Sequence, residues 1–306
     1  MRIDFGGGWT DVPPYPLQEG GCVCSVAIAR YATVRLSARA VGVSIDAADV
    51  DRDLPHAALR RAGLDGISLL LRNDFPRGAG LGGSSAAGVA IQAALAAWCG
   101  EAAEPVTLAE RSRMVETEEL RVPGGSQDHY AAALGGALAM QFGTSVTAQR
   151  IPLSAARRSE LERRCIVVFT GESRISGDTI TAVMDAYRAG NAQVVRALAR
   201  MKELAGQMTD AIEHGTIDEV AALVDEHWQC QRSLHARITT PGIERVLDVA
   251  RRAGAVGGKA LGASGGGSVL VIASESSTDN VRATVSAVAQ PLSFSIDEVG
   301  SHVLEH

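Results

Sequence analysis

The feature that most constrains the fold of this chain is a glycine-rich segment between an apolar run and an alanine-rich run. Residues 78–86 read GAGLGGSSA, after the apolar run 67–72 and before a helical pattern that ends near Cys99. This order predicts a strand, a loop and a helix. The glycines allow positive backbone φ angles, so several N–H groups can converge on one anion. The helix N-terminus adds its dipole, and the segment therefore indicates a phosphate-binding loop.

Two common phosphate-binding motifs are excluded. The pattern GxxxxGK[ST] is absent, because the only Gly-Lys pair, Gly258-Lys259, is followed by Ala260. The dinucleotide fingerprint requires a loop between the first strand and helix of a βαβ unit. Here the loop begins about 75 residues into the chain, after several predicted strands, and ends in two serines. A Rossmann dehydrogenase is therefore a poor alternative.

Composition and charge narrow the class of protein. The chain has 306 residues, which favours about two domains, and 46% of them are hydrophobic, enough for a buried core. The net charge of −6 argues against a nucleic-acid partner. The five cysteines form no CxxC and indicate reduced thiols of a cytoplasmic protein. No signal peptide and no membrane span are expected, because neither a basic-then-apolar leader nor a run of about 18 apolar residues occurs.

Apolar periodicity predicts the remaining elements and a domain boundary. Strands are expected within 21–40, 137–150, 165–170, 269–273 and 292–298, and helices at 54–62, 107–120, 180–189, 191–213, 216–235, 241–253 and 277–288. A polar stretch near 150–163 is the candidate boundary between two domains.

Four motifs carry a resemblance to a known family. They are RIDFGGGWTD at 2–11, PRGAGLGGSSAA at 76–87, GGSQDHYAAALGG at 124–136 and KALGASGGGS at 259–268. In this order they resemble motifs of the GHMP superfamily of small-molecule kinases, over essentially the whole chain. The resemblance implies a two-domain α+β fold. Residues 1–155 would form a ribosomal-protein-S5-like ATP-binding domain, and residues 156–306 a ferredoxin-like domain with extra helices.

Within the superfamily, the chain is similar to the heptose-7-phosphate kinase and fucokinase-like branch. The segments that indicate this are GGGWTDVPPY at 6–15, QDHY at 127–130 and GESRIS at 171–176. Galactokinase-like sequences carry Gly-Glu-His-Thr-Asp in the first motif, where this chain has Gly8 and Trp9 in the Glu and His places.

The branch implies an ATP-dependent kinase of the anomeric hydroxyl of a heptose 7-phosphate, of the D-glycero-D-manno type. Three alternatives remain open. One is a fucokinase- or galactokinase-like hexose 1-kinase. Another is a superfamily kinase that acts on a non-sugar such as homoserine or mevalonate. The third is a catalytically silent regulator that binds sugar and ATP.

The resemblance also implies the catalytic and nucleotide-binding residues. Asp128 would orient or deprotonate the attacking hydroxyl, and Arg2 would hold Asp128 ionised and neutralise charge on the transferred phosphoryl group. Ser84 and Glu116 would bind Mg²⁺. The predicted ATP loop comprises Gly78, Gly80, Leu81, Gly82, Gly83, Ser84, Ser85 and Ala86. From the residues alone, Asp128 could instead be a helix N-cap, and Glu116 an exposed charge on an acidic helix.

The predicted acceptor site follows from the first and third motifs. Asp11 matches a position that hydrogen-bonds sugar hydroxyls, with Trp9 and Thr10 beside it. The glycines Gly265 and Gly266 would approach the substrate closely, and Arg174 would hold a second phosphate. A turn role for Asp11, packing for Trp9 and a surface salt bridge for Arg174 remain alternatives. The expected partner is a small sugar or sugar phosphate, with no nucleic acid and no membrane, and a homodimer is left open.

Overall fold

The computed structural model describes residues 1–47, 53–172 and 177–304. Its strands are β1 (Arg2–Gly6), β2 (Gly21–Ala27), β3 (Ala32–Ala38), β4 (Val43–Ala47), β5 (Ile67–Asn73), β6 (Ala137–Phe142), β7 (Val146–Ile151), β8 (Cys165–Phe169), β9 (Ala255–Ala260), β10 (Ser268–Ala273) and β11 (Gln290–Pro291). Its helices are α1 (Tyr15–Glu19), α2 (Asp53–Ala62), α3 (Gly83–Trp98), α4 (Pro105–Met114), α5 (Gln127–Leu134), α6 (Ala155–Arg164), α7 (Gly177–Arg188), α8 (Ala192–Glu213), α9 (Ile217–Ser233), α10 (Pro241–Ala253) and α11 (Thr278–Ser286). A π-helical turn, Val115–Glu119, continues α4, and a 3₁₀ turn, Glu275–Ser277, precedes α11.

The first sheet has the strand order β1-β2-β6-β7, and every pairing is antiparallel. Side chains of β1 alternate between its two faces, so Arg2 and Asp4 share one face and Ile3 and Phe5 share the other. All four are buried. The first charged side chain of the chain is thereby placed inside the molecule rather than at a frayed end.

The second sheet has the order β3-β5-β4, with β5 antiparallel to β3 and parallel to β4. It leads directly into the glycine-rich loop, because β5 ends at Asn73 and α3 begins at Gly83. The predicted succession of strand, loop and helix is confirmed. β4 was not predicted, because residues 41–66 have no clear apolar periodicity and most side chains of the strand are at least partly exposed.

The third sheet has the order β11-β8-β10-β9 and is antiparallel. The strand predicted at 292–298 is wrong, because this segment divides its hydrogen bonds between two sheets. Leu292 N donates to Val167 O in the third sheet, whereas Asp297 N donates to Ala27 O in the first. The segment therefore follows the two-residue β11, crosses from one sheet to the other, and forms a single bridge between Ile28 and Ile296.

The long helices of the second half have clear sequence-encoded ends. Asn191 caps α8, and Thr216 with Glu219 forms a capping box on α9. α8 packs against β1 and β2, and α9 packs against β9. One apolar core contains residues from both sides of position 155, among them Phe5, Met208 and Leu270. The predicted boundary between 155 and 156 stays a prediction.

None of the helices in the described ranges is both long enough and apolar enough to cross a membrane.

Candidate active site

The site is built around a contact between the start of β1 and the start of α5. Arg2 Nε donates to Asp128 Oδ1 at 2.7 Å, and Arg2 Nη1 donates to the carbonyl oxygen of Gly80 at 2.7 Å. The Arg2 side chain is 4% exposed and the Asp128 side chain 23% exposed. The guanidinium is therefore a buried bridge between the carboxylate and the glycine loop, while the carboxylate keeps an open side.

The glycine loop is shaped so that α3 begins beside this carboxylate. Gly82 is the N-cap of α3 with φ +75°, and no side chain caps the helix there. The N–H groups of the first turn of a 16-residue helix are thus left for another acceptor. A Cβ atom at Gly82 would lie 3.0 Å from Asp128 Cγ, so the absence of a side chain keeps the carboxylate next to the helix N-terminus. This geometry fits an anion such as a nucleotide phosphate.

Other predicted loop residues are anchored by their side chains. Leu81 and Ala86 are buried in the first core cluster. Ser85 Oγ lies 3.4 Å from His129 Nε2. At these three positions backbone atoms are what the loop presents to a ligand, and their contact with ATP stays a prediction.

The two predicted metal ligands lie close together. Ser84 Oγ is 3.4 Å from Glu116 Oε1, although the residues are 32 positions apart. Among the residues that the structure describes, no group of three or more His, Cys, Asp and Glu side chains is arranged to hold a metal ion. Two hard oxygen ligands beside a phosphate loop nevertheless suit Mg²⁺, which takes few protein ligands and binds through substrate phosphates.

Asp11 is buried with Gln127 as its partner. Its Oδ2 accepts from Gln127 N at 3.0 Å, and the side chain has almost no contact with solvent. Burial raises the pKa of Asp11 to about 6; the charges of Asp128 and Asp4 add to the rise, and the hydrogen bond from Gln127 opposes it. A Cβ atom at Gly125 would lie 1.9 Å from Asp11 Oδ2, so this glycine leaves room for the carboxylate.

Trp9 and Thr10 have framework positions. Trp9 is buried in the second core cluster with a positive φ of 81°. Thr10 Oγ1 donates to Gly7 O at 2.7 Å and accepts from Cys22 N at 3.1 Å. These contacts favour packing for Trp9 and a turn-stabilising role for Thr10, and a substrate contact stays a prediction for both.

The glycine loop of the third motif, at 259–268, packs against the glycine loop of the second motif, at 76–87. Ser268 N donates to Ala79 O at 2.9 Å, and Gly265 N donates to Ile238 O at 2.8 Å. A Cβ atom at Gly266 would lie 2.7 Å from the carbonyl oxygen of Glu172. Gly265 and Gly266 are therefore held between the segments around residues 172 and 238. Arg174, the predicted ligand of a second phosphate, lies outside the described residues.

One pair of charged residues was missed by the sequence analysis. Lys259 Nζ lies 3.2 Å from Asp4 Oδ2, with side chains 0% and 3% exposed. The available signals were the position of Asp4, two residues after Arg2 on a strand, and the place of Lys259 at the start of the third motif. The pair links β1 to β9, two residues along β1 from Arg2.

Family models match both halves of the chain. The model described as "GHMP kinases N terminal domain" matches residues 52–136, and the one described as "GHMP kinases C terminal" matches residues 208–290. Together they cover more than half of the chain.

Two of the similar proteins carry sugar-kinase names. A Campylobacter jejuni protein named D-glycero-alpha-D-manno-heptose 7-phosphate kinase is 27% identical over 292 residues, covering 87% of this chain and 86% of that protein. An L-fucokinase/L-fucose-1-P guanylyltransferase of Bacteroides fragilis is 26% identical over 324 residues, covering 90% of this chain. The chain spans only 34% of that longer relative.

Solved structures share the whole fold. A structure described as a D-glycero-D-manno-heptose 1-phosphate kinase from Bacteroides thetaiotaomicron superposes with a TM-score of 0.81 and 23% identity, covering 100% of this chain and 98% of that one. The two-domain α+β fold expected from the four motifs is confirmed. Two family models in the expected order and this shared fold show that the chain belongs to the GHMP kinase family.

Proposed function

We propose that the chain is an ATP-dependent, Mg²⁺-using sugar kinase that phosphorylates the anomeric hydroxyl of a heptose 7-phosphate of the D-glycero-D-manno type. The contact between Arg2 and Asp128 beside the glycine loop carries the proposal of phosphoryl transfer. The choice of a heptose phosphate is supported by the similarity to the Campylobacter jejuni kinase, of which the chain covers 86%.

In the proposed reaction the acceptor oxygen attacks the γ-phosphorus of ATP. A bond from that oxygen to phosphorus forms, the bond from phosphorus to the β,γ-bridging oxygen breaks, and ADP leaves. Asp128 takes the hydroxyl proton. Its Oδ1 is held by Arg2, which leaves Oδ2, on the side of Gly82, to accept that proton.

Arg2 and the loop supply the electrostatic part of the catalysis. The buried guanidinium donates to the loop carbonyl of Gly80, and its positive charge beside the loop would stabilise the negative charge that develops on the transferred group. Ser84 and Glu116 would hold Mg²⁺, whose charge neutralises the nucleotide phosphates. The N-terminus of α3 would receive the phosphates through backbone N–H groups.

The acceptor would lie on the side of Asp11. This carboxylate can accept hydrogen bonds from two sugar hydroxyls, and Asp128 is close enough for its charge to affect Asp11. Gly265 and Gly266 of the third motif and Trp9 and Thr10 of the first motif would border the sugar. Arg174 would pair with the 7-phosphate.

A fucokinase-type hexose 1-kinase is the second candidate, because the Bacteroides fragilis relative matches 90% of this chain at 26% identity. A silent regulator is less favoured, since Arg2 pairs with Asp128 and Ser84 lies beside Glu116, so the residues expected for catalysis and for metal binding are both paired as a kinase would need. We place the enzyme in the cytoplasm with small-molecule partners, and a homodimer is compatible with this proposal.

The test is ADP release with ATP and Mg²⁺ across a panel of acceptors, with the product position read by phosphorus NMR. The panel contains heptose 7-phosphates, fucose, galactose, mannose, their 6-phosphates, homoserine and mevalonate. Anomeric phosphorylation of a heptose 7-phosphate is the expected result. Turnover of fucose alone would support the second candidate. A folded protein that binds ATP yet turns over no acceptor would contradict the kinase proposal.

A further inference from the structure

His129 lies between Glu116, the proposed metal ligand, and Ser112 in the protein interior. Its side chain is 2% exposed. Its Nε2 lies 2.7 Å from Glu116 Oε2, and its Nδ1 lies 2.9 Å from Ser112 Oγ. Because a carboxylate only accepts hydrogen bonds, Nε2 must carry the hydrogen of the short contact. The Ser112 hydroxyl can donate or accept at Nδ1, so both ring nitrogens have a partner.

This arrangement fixes which oxygen of Glu116 faces the nucleotide loop. Oε2 is occupied by His129, and Oε1 points to Ser84 Oγ at 3.4 Å. Glu116 also lies in the π-helical turn Val115–Glu119, a form of helix that is rare and frequent at functional sites. The side chain of Glu116 is 19% exposed, so its free oxygen has access to a ligand.

A glycine in the adjacent helix makes room for this arrangement. Gly88 lies within the alanine-rich helix α3, where alanine would be the more stable residue. A Cβ atom at Gly88 would lie 2.2 Å from Ser112 Oγ, too close for any real contact. Helix α3 therefore has a glycine, a poor helix former, at the position next to the contact between Ser112 and His129.

We propose that His129, held by Ser112 in the space left by Gly88, is a positioning residue that presents Glu116 Oε1 and Ser84 Oγ to the divalent cation of the bound nucleotide. This inference rests on the proposed kinase function but not on the identity of the sugar. Partners that orient a metal ligand typically change metal affinity about 10–100-fold when removed.

The test measures Mn²⁺ binding by electron paramagnetic resonance, with a non-hydrolysable ATP analogue and no sugar. For His129→Leu we expect about 10–100-fold weaker Mn²⁺ binding, with circular dichroism unchanged. His129→Gln should recover part of the affinity, because an amide nitrogen can still donate to Glu116. The matched control is His56→Gln, on the exposed side of α2, which should bind Mn²⁺ as the wild type does. A folded His129→Leu protein with wild-type Mn²⁺ affinity would overturn the proposal.

The role of the glycine is tested by a pair of variants. Gly88→Ala should lower both the melting temperature and the Mn²⁺ affinity, because the new methyl group displaces Ser112. Gly88→Ala combined with Ser112→Ala removes the crowded hydroxyl, so the melting temperature should recover while the Mn²⁺ affinity stays low. Recovery of both would show that Ser112 only packs, and would contradict its role in holding His129. A wild-type protein that binds Mn²⁺ and nucleotide but phosphorylates no acceptor would contradict the kinase proposal, whereas unchanged Mn²⁺ affinity in His129→Leu would contradict only the role of His129.

Discussion

Arg2 Nε lies 2.7 Å from Asp128 Oδ1, although 126 positions separate the two residues. The same guanidinium donates to Gly80 O at 2.7 Å, so one side chain joins the first strand, the glycine loop and the helix that carries the carboxylate. Asp128 is thereby held at the N-terminus of α3, where an anionic ligand would bind.

Asp128→Asn should lower kcat by about 10²–10⁴-fold, because the amide cannot take the hydroxyl proton. The affinity for ATP should change little, since the loop is unaffected. Steady-state kinetics and calorimetric ATP binding measure the two quantities, and Asp65→Asn at an exposed position is the control. Retention of full kcat would remove Asp128 from the mechanism.

Arg2→Met should lower kcat by about 10²–10³-fold, the range for losing one preorganised donor to the developing charge. Arg2→Lys keeps the positive charge but lacks the two separate donors that reach Asp128 and Gly80. We therefore expect its kcat to fall between those of Arg2→Met and the wild type. Equal kcat values for the lysine and methionine variants would show that charge at this position is not used.

Gly82→Ala should lose both stability and activity. The positive φ of 75° disfavours alanine by about 1–2 kcal/mol, and the new Cβ would lie 3.0 Å from Asp128 Cγ. Gly100 is a matched control, because its φ is 69° and its Cβ would meet nothing within 4 Å. Chemical unfolding should show a similar loss for Gly100→Ala, with kcat unchanged. A loss of kcat in both variants would mean that strain alone explains the effect.

The burial of Asp11 predicts a pH-dependent stability. Its pKa is about 6 in the folded chain against 3.8 without perturbation, so the folded state binds more protons between these values. Stability contributed by this group therefore falls as the pH rises from about 4 to about 6, and stays lower above that range. Asp11→Asn removes this cost, which is on the order of 3 kcal/mol above pH 6 or so.

Urea unfolding across pH measures this effect. Asp11→Asn should be more stable than the wild type near neutral pH, with a difference that shrinks towards pH 4 or so. In the wild type, KM for the sugar should rise below about pH 6, as the carboxylate loses its charge. A stability difference that is the same at every pH would contradict the raised pKa of Asp11.

The buried pair of Asp4 and Lys259 should be sensitive to the loss of either partner. Lys259→Met leaves a carboxylate without a counter-ion in the interior, which typically costs about 3–5 kcal/mol. Combining it with Asp4→Asn removes both charges, and most of the stability should return. The free energy of unfolding, measured with denaturant for both single variants and the double variant, gives the coupling. Additive losses would mean that the two side chains do not interact.

Local chemistry allowed much of the fold to be predicted. The glycine-rich segment between an apolar run and an alanine-rich run gave β5, the loop and α3, and helical periodicity placed α8 to α10. Turn and cap residues such as Thr216 and Thr240 set helix starts. The strand predicted at 292–298 is wrong. Its apolar alternation is typical of a strand, but the segment hydrogen-bonds to two different sheets and forms a ladder with neither.

The sequence by itself determined the family motifs, the order of most elements and the candidate carboxylates, because these depend on periodicities and turn residues within a few positions. The tertiary structure supplied the geometry of the expected contact between Arg2 and Asp128. Only the tertiary structure decided that His129 bridges Ser112 and Glu116, and that Lys259 neutralises Asp4. It also showed that Trp9 is buried in an apolar core and that the Thr10 hydroxyl donates to Gly7 O. Such contacts join residues that are far apart in the chain. They depend on how the sheets and helices pack, which cannot be predicted from patterns within a few residues.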